Sequence, residues 1–173
     1  MFKPRTIDSE PALYEAAIKI LMRRAHSVYE MKKALIRRTS HEDLIKKVLA
    51  RLKENGLIDD ARYANQFARQ RTEIRKQGKF RVARELRARG VPDRHITPAL
   101  EAASAETDES ALVRQRIERK LKLYRGEIDD RKIASLYRSL LRAGFSSDTI
   151  RRELHRLSDA DLPEADTAAT DDS

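Results

Sequence analysis

The side chains in this chain that could do chemistry are four imidazoles, two acidic doublets and a dense run of cationic groups. His26, His41, His95 and His155 could ligate a metal or move protons near neutral pH, but no two stand at i, i+4 on one helix, so a metal site would need distant segments to converge. Asp59-Asp60 and Asp129-Asp130 invite a metal or acid–base reading, yet consecutive residues at a helix start do not face one another. Their settings echo each other: Gly56-Leu57-Ile58-Asp59-Asp60-Ala61-Arg62-Tyr63-Ala64 and Gly126-Glu127-Ile128-Asp129-Asp130-Arg131-Lys132-Ile133-Ala134. Both place an aspartate where a helix needs an acceptor for its unpaired N–H groups and a negative charge against its dipole. With no cysteine there is no thiol nucleophile or thiolate-held zinc. No Gly-rich phosphate loop or nucleophile motif occurs either. The expectation is a protein that is not an enzyme and needs no metal or cofactor.

The cationic run says more. Between Arg69 and Arg89 nine bases face two acids, Glu73 and Glu85, for a net charge of +7. A solvated helical face carries bases interleaved with Glu at i, i+4, and here the acids are few. Arg69, Arg71, Arg75, Lys76, Lys79, Arg81 and Arg84 are therefore the candidate residues for contact with a nucleic acid or with an acidic protein. The whole chain of 173 residues carries +9, but residues 158–173 hold six acids and no base, leaving 37 bases against 22 acids in the rest. Such a body attracts polyanions, although a basic surface also serves solubility alone. Aromatic residues make up only 5%, too few for extensive base stacking, so nucleic-acid contact should run through phosphates and fall with salt.

The elements that must carry these groups are helical. Leu35, Ile45 and Leu49 are spaced by ten and four residues, as are Leu86, Ile96 and Leu100, and again Leu140, Ile150 and Leu154. The copies lie 51 and 54 residues apart, a period that marks a repeat architecture whose units bury their apolar stripes by stacking. Leu13, Ala16, Ala17, Ile20 and Leu21 follow helical spacing after Ser9 and Pro11. Ser27 with Glu30 makes a capping box before Val28, Met31 and Leu35. Ile45, Val48, Leu49 and Leu52 form a third helix that stops at Asn55-Gly56. The second unit repeats this with a helix through Tyr63, Ala64, Phe67 and Ala68 to near Gly78, a short one ending at Gly90, and a third with Ile96, Ala99, Leu100 and Ala103. Pro98 either kinks that helix or delays its start to Thr97. The third unit has helices around Val113 and Ile117, around Leu136 and Leu140, and from Ser146 or Ser147 through Leu157. Sustained alternation of apolar and polar residues is missing.

The fold class expected is all-α: three tandem three-helix repeats, 1–56, 57–105 and 106–157, in an elongated array, then a disordered acidic tail, 158–173. The last two helices of each unit superficially fit a helix-turn-helix, but the first would present Ser40, His41, Glu42 and Asp43 to the bases, and the third Asp148, where carboxylates would meet phosphates. No segment approaches a membrane span and no cleavable signal opens the chain, which suggests a cytoplasmic protein, expected as a monomer.

Ala17, Leu21, Arg24, Ser27, Glu30 and Leu35, then Leu49, Leu52, the segment from Gly56 to Ala64, and Gly78, Arg81, Glu85, Leu86 and Gly90 resemble the RecX family, bacterial regulators of the RecA recombinase. The resemblance runs over roughly residues 12–157. It implies that the array of three-helix repeats is curved and lodges in the groove of a RecA filament on single-stranded DNA, modulating recombination and DNA repair by inhibiting ATP hydrolysis and strand exchange. It also implies that the candidate cations Arg69 to Arg84 face that filament. The chain departs from the pattern at Pro98, in the acidic tail, and between Gly126 and Gly144, where the connection is six residues longer than between Gly78 and Gly90. A stand-alone basic protein that binds nucleic acid without a recombinase is the alternative, and an adaptor for an acidic partner a third.

Overall fold

A computed structural model describes residues 7–124 and 128–160, which are all-helical and contain no strand. The helices are α1 (Glu10–Leu21), α2 (Val28–Ile36), α3 (Glu42–Glu54), α4 (Asp60–Glu73), α5 (Lys79–Ala88), α6 (Asp93–Ala105), α7 (Glu109–Leu121), α8 (Asp130–Arg142) and α9 (Ser147–Ala160). The chain divides into two compact units, Met1–Thr107 and Asp108–Ser173.

The first unit holds two apolar clusters. One joins Leu13 and Ala17 of α1, Met31 and Leu35 of α2, and Ile45, Val48 and Leu52 of α3, with Ile58. The other joins Tyr63, Ala64 and Ala68 of α4, Val82, Ala83 and Leu86 of α5, and Ile96, Ala99 and Ala103 of α6, with Val91. The second unit gathers Leu112, Val113 and Ile117 of α7, Leu136 and Leu140 of α8, and Phe145 and Ile150 into its own cluster. The repeated trio explains this likeness. Leu35, Leu86 and Leu140 are buried, as are Ile45, Ile96 and Ile150, while Leu49, Leu100 and Leu154 are half-buried. The ten-residue step crosses the turn from one helix to the next and lands in the same core. The further four residues advance about one helical turn, to the rim of that core.

Local chemistry sets the helix boundaries. Ser27 and Glu30 form the capping box in full. Asp59 accepts from the N–H groups of Ala61 and Arg62, Asp108 from Ser110, and Asp129 from Lys132. Between the two serines, Ser146 starts α9, its hydroxyl accepting from the Thr149 N–H at 3.1 Å. Gly56 and Gly90 follow α3 and α5 with φ of +63° and +70°, the left-handed conformation that ends a helix.

Two boundaries differ from the sequence expectation, and a third, which the sequence left open, is decided. α4 stops at Glu73, not near Gly78, and residues 74–78 form a connector in which Lys76 has φ 51° and Gln77 is buried. α6 begins at Asp93, with Pro98 inside it and exposed to solvent, so the proline does not delay the helix. α9 continues to Ala160, three residues into the segment assigned to the tail. The remainder of that tail and residues 125–127 lie outside the described residues.

Candidate functional site

The cationic run occupies the end of α4, the connector and α5, and its members divide by what they touch. Arg71 has a side chain only 17% exposed; it pairs with Glu85 at 3.3 Å and lies over the Phe67 ring at 4.7 Å. Arg81 reaches the same carboxylate at 2.9 Å, and Arg69 pairs with Glu73 at 2.8 Å and with Glu106 at 3.7 Å. The two acids of the run thus each sit four residues after an arginine and bind it, so those cations are partly neutralised. Burial pushes the Glu85 carboxyl up, but Arg81 and Arg71 outweigh it and hold the group below its ordinary value.

Arg75, Lys79 and Arg84 face solvent, and Lys76 is half-buried. Arg84 makes no ion pair among the described residues. Ile74 and Phe80 are 73% and 58% exposed beside them, with the Lys79 ammonium over the Phe80 ring at 5.5 Å. Seven candidate residues therefore reduce to a smaller outward set around two apolar side chains. That patch was invisible to a count of charges.

The doublet Asp59-Asp60 performs two tasks. With Asp59 capping α4, the Asp60 carboxylate is free to accept from the Val28 N–H at the start of α2, at 2.9 Å. Around this bond lies a polar joint between the first and second helix triplets. The Ser27 hydroxyl donates to the Arg89 carbonyl at 2.6 Å while accepting from the Glu30 N–H at 3.1 Å. The Glu30 carboxylate accepts from the Ser27 N–H, from Arg24 at 3.0 and 3.2 Å, and from the Tyr63 hydroxyl at 3.3 Å. Burial works against the Glu30 charge, but Arg24 and the Ser27 N–H overcome it and lower its pKa. Burial, followed by that same carboxylate, raises the Tyr63 phenol. Sequence reasoning found Ser27, Glu30 and the doublet as caps and missed the joint. Its one local sign was the second aspartate, which a cap does not need.

The second unit has a counterpart. Glu109 accepts from the Ser146 N–H and the Thr149 hydroxyl, and the buried Glu153 pairs with Arg114 and Arg156. The histidines stay apart. The His26 ring meets the Arg24 carbonyl, His41 lies 3.4 Å from Asp8, and His95 lies 3.2 Å from the Arg94 guanidinium. Among the described residues no three His, Asp or Glu side chains gather as a metal site, and no helix is long and apolar enough to cross a membrane.

Comparison with known proteins gives concordant matches. Residues 14–52 match the family model described as the first three-helix domain of RecX, and residues 59–100 that of its second three-helix domain. The regulatory protein RecX of Halorhodospira halophila is 38% identical over 141 residues, covering 81% of this chain and 84% of its own. That of Prosthecochloris aestuarii is 35% identical over 150 residues, covering 87% and 95%. The crystal structure of RecX from Lactobacillus salivarius superposes with a TM-score of 0.73 at 23% identity, covering 86% of this chain and 96% of that one, a likeness of fold.

Proposed function

The chain belongs to the RecX family, and from that premise we propose that it regulates the RecA recombinase by binding the filament this enzyme forms on single-stranded DNA. In this reading it lowers the filament's ATP turnover and strand exchange, acts in the cytoplasm, and performs no catalysis of its own. The observation that carries the reading is kinship over most of the chain, joined to a cationic patch at the α4–α5 connector. Arg75, Lys79 and Arg84 meet phosphates or the acidic surface of a protomer, while Ile74 and Phe80 cover apolar surface between the charges. The unit boundaries that go with this are 1–56, 57–105 and 106–157, three helix triplets each offering a face to the filament.

The test is ATP hydrolysis by a cognate RecA filament on single-stranded DNA, with this protein added up to one copy per protomer. Turnover falls with the native chain, and the triple substitution Arg75→Glu, Lys79→Glu, Arg84→Glu weakens the effect by about tenfold or more, since each phosphate contact carries part of the affinity. Unchanged turnover would rule the recombinase out as the partner. Tight binding of duplex DNA that recombinase leaves unaltered would favour an architectural role instead.

A further inference from the structure

A cleft of about 640 Å³ opens at the joint between the first and second helix triplets, and none of the seven candidate cations lies in its wall. Arg24 from the first triplet and Arg89 from the end of α5 line it, with Gln66 and Gln70 from α4 and the rings of Tyr63 and Phe67. No carboxylate is among its lining residues; the nearby Glu30 accepts from Arg24, from the Ser27 N–H and from the Tyr63 hydroxyl. Gln66 and Gln70 are one helical turn apart and exposed, and neither amide has a hydrogen-bond partner among the described residues. The Arg89 Nε is buried with no partner, and the Arg89 guanidinium lies over the Phe67 ring at 4.9 Å. The Tyr63 and Phe67 rings are stacked with centroids 6.0 Å apart.

This wall offers the Arg89 guanidinium for negative charge, with Arg24 beside it already paired with Glu30, two amides that can both donate and accept, and the flat Arg89 guanidinium over Phe67 for stacking. A lone carboxylate would use the cations and leave most of the volume and both amides idle. A nucleotide uses all three: phosphate on arginine, base edge on glutamine, base face on a guanidinium or aromatic plane. The volume lies in the range of sites that hold a ligand of that size.

We propose that this cleft binds a single-stranded nucleic-acid segment directly, one unstacked nucleotide seated between Arg24, Arg89, Gln66 and Gln70. The inference rests on the functional reading above only in taking nucleic acid as the polymer the protein meets; it needs no recombinase. Strand occupancy bridges the two triplets, because Arg24 and the α4 residues come from opposite sides of the joint. The site differs from the connector patch in kind: the patch follows phosphates, whereas the cleft discriminates an unpaired base from a stacked duplex.

The experiment is fluorescence anisotropy of the full-length protein with a labelled thymidine oligonucleotide and with a duplex of equal length, at fixed salt. Gln66→Glu with Gln70→Glu puts two charges into the wall from exposed positions, and circular dichroism with a thermal melt verifies that the helices persist. Gln66→Ala with Gln70→Ala removes the amides without adding charge. The expected result is a loss of single-strand affinity of about tenfold or more for the glutamate pair, a smaller loss for the alanine pair, and little change for duplex. Equal losses on single strand and duplex, wild-type affinity in the glutamate pair, or no binding of the oligonucleotide by the native chain would each overturn the proposal. So would displacement of the oligonucleotide by poly-glutamate at equal charge, which would make the cleft a carboxylate site. Loss of oligonucleotide binding with inhibition of recombinase intact leaves the cleft standing and separates it from the filament reading. A native chain that binds the oligonucleotide but leaves recombinase turnover unchanged sinks that reading and spares the cleft.

Discussion

Gly90 and Gly56 end helices with nearly the same left-handed φ, yet a methyl group would meet different neighbours. A Cβ at Gly56 finds nothing within 4 Å, whereas at Gly90 it falls 2.3 Å from Cγ and 2.5 Å from Cβ of Tyr29. Those Tyr29 atoms lie next to its backbone, so the ring cannot swing clear without moving α2. Gly56→Ala should therefore cost about 1 kcal/mol, the usual penalty for a left-handed L-residue, while Gly90→Ala should cost about 3 kcal/mol or more as overpacking is added. Urea unfolding of the two variants measures the difference, and equal midpoints would mean that the joint is looser than described. Glu30 makes a second prediction at this scale. Its carboxyl titrates below the ordinary 4.5 in the folded protein, so its contribution is whole above that value and disappears as pH falls through the lowered folded value. Thermal melts should show stability declining from about pH 5 to pH 3, with a shallower decline in Glu30→Gln. Identical slopes would place the acid sensitivity in other carboxylates, such as Asp59 or Glu85, which are also lowered.

At the scale of elements, α6 carries an internal proline that its surroundings tolerate. Pro98 has no N–H, so the Arg94 carbonyl loses its intrahelical donor, and the ring crowds that turn. The position is exposed, and its neighbours Ile96 and Ala99 stay in the core. Packing of that buried face holds the helix against a local preference that costs up to about 3 kcal/mol relative to alanine. Pro98→Ala should accordingly stabilise the first unit by about 1–3 kcal/mol, read as a rise in melting temperature; a fall would mean that the proline shapes a bend the core requires. Periodicity placed the apolar face of this helix but not its start, where Pro92 supplies no side-chain cap; elsewhere acceptors such as Ser27, Asp59 and Asp129 marked the starts, because spacing and caps are local properties. The early end of α4 was not legible. Its cause lies in tertiary placement: the connector buries Gln77 and takes Lys76 through positive φ, and nothing in the residues themselves marks that path. The cationic run was legible as charge but not as surface. That Arg71 turns inward onto Phe67 and Glu85 depends on a ring four residues earlier and a carboxylate fourteen residues later.

For the molecule as a whole, the repeat unit in sequence and the compact unit in structure are different lengths. The trio of Leu, Ile and Leu recurs at about fifty residues, which gave boundaries at 1–56 and 57–105. The chain, however, forms one compact unit through Thr107 that contains both of the first two clusters. Long-range hydrogen bonds account for the difference: Ser27 with Arg89 and Val28 with Asp60 join residues 62 and 32 positions apart, which no periodicity analysis detects. Cut at residue 56, the first triplet would keep seven of the eight buried apolar residues of its core, losing Ile58, and would leave the Ser27 hydroxyl without its Arg89 acceptor and the Val28 N–H without Asp60. A chain of that length buries too little surface for comfortable stability on its own. Residues 1–107 should therefore unfold in one cooperative urea transition, whereas residues 1–56 should show weak helicity by circular dichroism and no sigmoidal transition. A 1–56 fragment that unfolds with the midpoint of 1–107 would show the joint to be mere contact between self-sufficient triplets. The expected outcome makes the joint the place where any ligand bound between Arg24 and α4 would be felt by both triplets at once.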